Sequence, residues 1–178
     1  MIEATYKRTP NSNRGVLTVT DITTRRTIKV DALSGSIKEA NSSWVSGRSP
    51  IPRSAEVQGG KLYIWVNPNK VNQRGQVPLN GKDIGEFFPI SSSTKDSTVI
   101  WSKDKTKIRT VIGGHLDNYK LWDKILKKVK DLFGAPGSAG CVVISADSET
   151  QWNKAMAVRE MLYGAWKNGQ EHVELQVI

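Results

Sequence analysis

The sequence predicts a β-rich α+β domain, a mixed sheet or sandwich of short strands with one inserted helix and one C-terminal helix. Three observations carry this. Apolar residues alternate at period two in short runs along most of the chain, two stretches switch to helical period, and Gly, Pro, Ser and Asn clusters punctuate them throughout. Polar loops recur, but none separates two self-sufficient apolar cores, so residues 1–178 are expected to form one domain.

In chain order, residues 6–14 are polar with Pro10 and two Asn, and read as a loop. Val16 to Thr20 and Thr27 to Ala32 alternate and are rich in β formers, which makes a hairpin. Ser49-Pro50-Ile51-Pro52 is expected to be extended, because each residue before a proline is pushed away from the α region. Ala55 to Gln58, a Gly59-Gly60 turn and Lys61 to Val66 read as a second hairpin. Phe87-Phe88-Pro89-Ile90 reads as an apolar anchor in the core, and Thr98 to Trp101 and Ile108 to Ile112 as strands.

Tyr119 to Phe133 places Leu121, Trp122, Ile125, Leu126, Val129, Leu132 and Phe133 on one helical stripe, with lysines largely off it. Asn118 fits its N-cap and Gly134 the position after its end. Ser148 to Gln151 fits a capping box for a helix over 149–167 that Asn168-Gly169 ends. Its recurring apolar positions, Trp152 to Trp166, are read as core. Val173, Leu175 and Val177 alternate as a last strand, preceded by His172 as a surface residue.

The chemistry is concentrated between Ile112 and Ile144. The chain's one cysteine, Cys141, closes a glycine-rich turn and opens a β-branched run, a position that holds a thiol rigidly with one side open. A free thiol titrates near about 8.5 and needs a base or a cation beside it to act as a nucleophile at neutral pH. His115, after the Gly113-Gly114 pair that is expected to turn the chain out of its strand, is the candidate base. Taken singly, each residue has an ordinary structural reading, Cys141 as a buried thiol and His115 as a turn residue; the pair is what points to catalysis.

His115 followed by Ser138-Ala139-Gly140-Cys141 resembles the His…Ser-x-Gly-Cys signature of the L,D-transpeptidases, cysteine enzymes that rework peptidoglycan stem peptides. Ser49-Pro50-Ile51-Pro52 and Pro136 to Cys141 look most like the branch that includes type VI secretion effectors. The resemblance covers about Val16 to Ile144 and implies a β-sandwich-like catalytic fold. It departs from the family in two places: Val143 stands where an arginine usually follows the cysteine, and a lysine-rich segment lengthens the His-to-Cys separation.

The resemblance implies acyl transfer through Cys141, with His115 as acid and base, Gly140 and Cys141 N–H groups toward the oxyanion, and Ser138 shaping the turn. Asp117 or the Gly114 carbonyl would orient His115. The basic helix is expected to dock as a surface element or to act as a lid, with Lys124, Lys128 and Trp122 toward the substrate. No cofactor and no metal are expected, since one cysteine and two histidines lack zinc spacing. The expected partners are stem peptides, a secretion or virion carrier and an immunity protein.

The formal charge of +9 favours polyanions, among them a cell wall carrying carboxylates and phosphodiesters. Met1 to Pro10 has no apolar signal region and no run is long enough to span a bilayer, so delivery by a secretion system, phage or lysis pathway is expected. Two other readings stay open: a non-catalytic wall-binding or virion domain with the same fold, and a nucleic-acid binder, for which charge speaks but no helix-turn-helix, finger or RNP-like strand is present.

Overall fold

The computed structural model describes residues 1–35, 44, 49–70, 72–73, 86–110, 112–116, 142–144 and 148–178, with the backbone alone at 72–73, 86–87 and 115–116. Its strands are β1 (Ile2–Arg8), β2 (Arg14–Asp21), β3 (Arg26–Ser34), β4 (Leu62–Trp65), β5 (Asn72–Gln73), β6 (Glu86–Ser91), β7 (Val99–Trp101), β8 (Ile108–Thr110), β9 (Gly113–Leu116), β10 (Val142–Ile144) and β11 (His172–Val177). The one α-helix among the described residues is α1 (Glu149–Lys167). The fold is β-rich α+β, as the alternation predicts.

The main sheet runs β4-β11-β1-β2-β3-β10-β9-β6, and β6 pairs back onto β4. Eight strands therefore close on themselves as a barrel, which leaves these strands no open edge. β5 adds to β6, and β7 with β8 forms a separate ribbon. The sheet is mixed: β1 with β11 and β9 with β10 are parallel, and the other barrel neighbours are antiparallel.

Pleating sorts each strand into two sides. Ala4, Tyr6, Leu17, Val19, Val30, Ala32, Leu62, Ile64, Phe88, Ile90, Val142, Ile144, Val173 and Leu175 are buried in one core cluster, while Glu3, Lys7, Lys29 and Glu174 alternate with them in solvent. The same cluster takes in Ala155, Val158, Met161, Leu162 and Ala165, so α1 lays its apolar stripe on the side chains the strands turn inward. Trp152, Met156, Tyr163 and Trp166 flank that stripe, partly buried. Tyr163 meets Phe88 of β6 at 5.4 Å between ring centroids.

The helix begins and ends where its signals lie. Ser148 Oγ accepts the Gln151 backbone N–H, and Gly169 turns the chain away at φ 81°. The second arm of the capping box is replaced: the Gln151 side chain donates to the Asp31 carboxylate at 3.0 Å and ties the helix start to β3.

Four expectations are corrected. Residues 6–8, expected to open a loop, are the end of a strand that starts at Ile2; Ile2, Ala4 and Tyr6 are its buried side, held between β2 and β11. Residues 54–60 form two 3-10 turns, Ser54–Glu56 and Gln58–Gly60, in place of a strand. Glu56 accepts the Arg53 N–H there, Gly59 and Gly60 both take positive φ, and among the described residues the segment keeps one bridge, from Val57 to Ser102.

The Gly113-Gly114 pair does not turn the chain. Paired with β6 on one side and β10 on the other, it is the first half of β9, and His115 is a strand residue. His172, expected at the surface, opens β11 and is half-buried with its ring 5.1 Å from Tyr63 and 5.7 Å from Trp65. The inserted helix expected over 119–133 lies outside the described residues.

Candidate functional site

The site is built on two short strands that meet only through long-range pairing. β9 carries His115, and β10 begins one residue after Cys141. They are parallel neighbours with Val142 opposite Gly114, Val143 opposite His115 and Ile144 opposite Leu116. β3 flanks β10 with Ser34 opposite Val142 and Leu33 opposite Val143, and β6 flanks β9 with Phe88 opposite Gly114 and Phe87 opposite His115.

Two cross-strand rows result. One runs Ser34, Val142, Gly114, Phe88, and the next runs Leu33, Val143, His115, Phe87. The buried Val143 is thus the direct register partner of His115.

Of the residues the sequence singles out, the structure places Gly114 and the backbone of His115. Cys141, Ser138, Gly140, Asp117, Lys124, Lys128 and Trp122 lie outside the described residues. Gly114 is half-buried with ordinary backbone geometry, and a methyl group built on it would meet only the Val142 carbonyl oxygen, at 3.9 Å.

Polar groups gather at the end of the barrel where β10 begins. Ser49, Pro50, Ile51 and Pro52 are all buried and belong to no strand. Side chains hold them instead. Arg109, only 7% exposed, donates through Nη1 to the carbonyls of Ser49 at 3.0 Å and Pro50 at 2.8 Å. Ile51 donates its N–H to Ser34 Oγ at 2.8 Å, Arg8 reaches the Ile51 carbonyl at 3.4 Å, and the buried Asn13 donates to the Gly35 carbonyl at 3.3 Å.

Burial, and next the neighbouring Arg53, pull the Arg8 guanidinium below its ordinary value. Sequence reasoning missed Ser34, Asn13 and the role of Arg109. The available signal was the pair of prolines, which strip N–H donors from 49–52 and leave its carbonyls to be satisfied by side chains.

Inside the barrel, under α1, lies an apolar cavity of about 20 Å³ bordered by Leu17, Ile64, Phe88, Gly114, Val142 and Leu162. It has room for about one water molecule, far too little to receive a peptide. Among the described residues no group of three His, Cys, Asp or Glu side chains is placed to hold a metal. No helix among them is long and apolar enough to cross a membrane.

No family model, curated protein or solved structure matches this chain.

Proposed function

We propose that the chain is a cysteine-dependent acyl-transfer enzyme of peptidoglycan stem peptides, an L,D-transpeptidase or L,D-carboxypeptidase with an L,D-transpeptidase-like β-sandwich relationship. The observation that carries this reading is the parallel pairing of β9 with β10. Neighbouring strands lie about 4.8 Å apart. The base candidate sits on one of them, and the thiol candidate is joined by one peptide bond to the first residue of the other. Val142 and Gly114, the neighbours in sequence of Cys141 and His115, are thereby direct cross-strand partners.

In the proposed reaction the Cys141 thiolate attacks the carbonyl of the third stem residue. Gly140 and Cys141 N–H groups meet the oxyanion, a type of contact whose loss costs about 3 kcal/mol in enzymes that use it. Collapse breaks the C–N bond to the terminal D-alanine, whose amine takes the proton His115 removed from the thiol, and leaves a thioester on Cys141. Water then gives a carboxypeptidase product, a free D-amino acid gives exchange, and a second stem amine gives a cross-link. Val143, standing opposite His115 where the resemblance implies an arginine, favours trimming or exchange over cross-linking. The place of action is the periplasm and cell wall where this substrate lies, reached by a secretion system, phage or lysis pathway.

Mass spectrometry of disaccharide tetrapeptide after incubation with the protein tests the proposal, run beside Cys141→Ala. Loss, exchange or cross-linking of the terminal D-alanine with the native protein alone is the expected result. Unchanged tetrapeptide, pentapeptide and intact wall would abandon the enzyme reading for a non-catalytic wall-binding or virion domain.

A further inference from the structure

The β7–β8 ribbon pairs with no strand of the barrel sheet, and its two faces differ. Register partners share a face, so Ile100 and Arg109 point one way and are buried, while Val99 with Thr110 and Trp101 with Ile108 point the other. Ile108 is 48% exposed, and Val99 and Trp101 keep part of their surface in solvent. The Trp101 indole N–H has no partner among the described residues, whereas that of the buried Trp65 donates to Ser91 Oγ. A tryptophan opposite an isoleucine thus stands partly open to water.

Three lysines flank that pair at the ribbon's tip. Lys103, Lys105 and Lys107 are exposed, and none forms an ion pair among the described residues. The acid between them, Asp104, turns its carboxylate onto Ser102 and Thr106; three lysines less one carboxylate give +2 over residues 103–107. Backbone bonds fix the turn as well, from the Lys105 N–H to the Ser102 carbonyl and from the Ser102 N–H to the Lys107 carbonyl, each 2.9 Å. Lys105 stands at φ 60°, a left-handed position where glycine or asparagine would be less strained, so the turn carries this cation at a conformational cost.

Lysines alone make a solvated surface. A tryptophan and an isoleucine beside them on one held face match a peripheral membrane contact, in which the ring sits at headgroup depth and the cations meet lipid phosphates. A nucleic acid fits less well. The face offers Val99, Trp101 and Ile108, with the Thr110 hydroxyl and one indole N–H to meet a base edge and no arginine.

We propose that the β7–β8 ribbon is a membrane-docking finger: Trp101 and Ile108 enter the headgroup region of an anionic bilayer while Lys103, Lys105 and Lys107 pair with its phosphates. This is independent of the chemistry assigned to Cys141.

The test is co-sedimentation of the full chain with vesicles of phosphatidylcholine alone and of phosphatidylcholine with an equal part of phosphatidylglycerol, with tryptophan emission recorded on the same samples. The native protein should bind the anionic vesicles, come off at high salt and shift its emission to the blue. A lysine near an anionic surface contributes about fivefold in partition, so joint Lys103→Gln, Lys105→Gln and Lys107→Gln should weaken binding by about tenfold or more. Ile108→Ser should weaken it about fivefold, and Trp101→Phe should keep most of the binding while removing the blue shift. Each variant is checked for folding by circular dichroism. Should the triple variant not fold, Lys105→Gly relieves the left-handed backbone, removes one cation and should cost about fivefold.

A native protein that stays in the supernatant with anionic vesicles overturns the proposal. So does binding that the lysine variants retain, since another basic face then carries it. Binding to duplex DNA that the triple variant loses, with no Trp101-dependent blue shift on vesicles, also overturns it and assigns the ribbon to a soluble polyanion.

Discussion

Tyr6 carries a hydroxyl into the barrel interior, where the residue is fully buried and the oxygen finds no hydrogen-bond partner among the described residues. Burial drives its phenol well above the ordinary value, so it stays neutral. The ring lies over Gly15: a Cβ there would stand 2.6 Å from the Tyr6 ring and 2.5 Å from the Lys7 carbonyl oxygen. An unpaired buried hydroxyl costs about 1–3 kcal/mol. Tyr6→Phe should therefore raise stability by about 1 kcal/mol in urea unfolding, and Gly15→Ala should lower it by about 3 kcal/mol. Combining Gly15→Ala with Tyr6→Leu should recover part of that loss and not all, because the Lys7 carbonyl remains. At this scale the sequence offers Cys141 and His115 as candidates because their chemistry is distinctive wherever they stand. Arg109 and Gly15 were not legible, since their roles depend on which carbonyl or ring the fold brings against them.

The β7–β8 ribbon turns on Asp104, whose carboxylate accepts from the Ser102 hydroxyl, the Thr106 N–H at 3.0 Å and the Thr106 hydroxyl at 2.8 Å. The Ser102 contact and next the Thr106 contacts hold its pKa down to about 2 against an ordinary 3.8. A depressed carboxylate stabilises the fold above its unfolded value and loses that contribution as pH falls through the folded one. The turn should stay ordered at pH 4 and loosen toward pH 2. The Thr106 amide followed by NMR should titrate near 2, and in Asp104→Asn that step should vanish; a midpoint near 3.8 would contradict the contacts. α1 was legible to the residue because a cap, a period and a Gly end agree along 19 positions. β1 was not, because its second half, Tyr6 to Arg8, runs without a break into the polar stretch around Pro10 and reads as part of that loop. The Gly113-Gly114 pair misled for a related reason. Glycine permits a turn without requiring one, and two neighbouring strands hold it extended.

Across the whole molecule, closure comes from pairings that no local pattern announces. β11 inserts between β1 and β4, β10 between β3 and β9, and β6 returns to β4. The sequence resolves neighbouring strands into hairpins, as it does for β2 and β3, but the parallel contacts join segments far apart in the chain. One of those contacts is the foundation of the functional account, for it joins the strand that follows Cys141 in sequence to the strand of His115. The most direct test is intact-protein mass spectrometry after brief incubation with disaccharide tetrapeptide and acid quench. The account predicts an added mass equal to the disaccharide tripeptide acyl group, located by digestion on Cys141, absent in Cys141→Ala and formed far more slowly in His115→Ala. No adduct on Cys141, or an adduct that forms equally fast without His115, would contradict it.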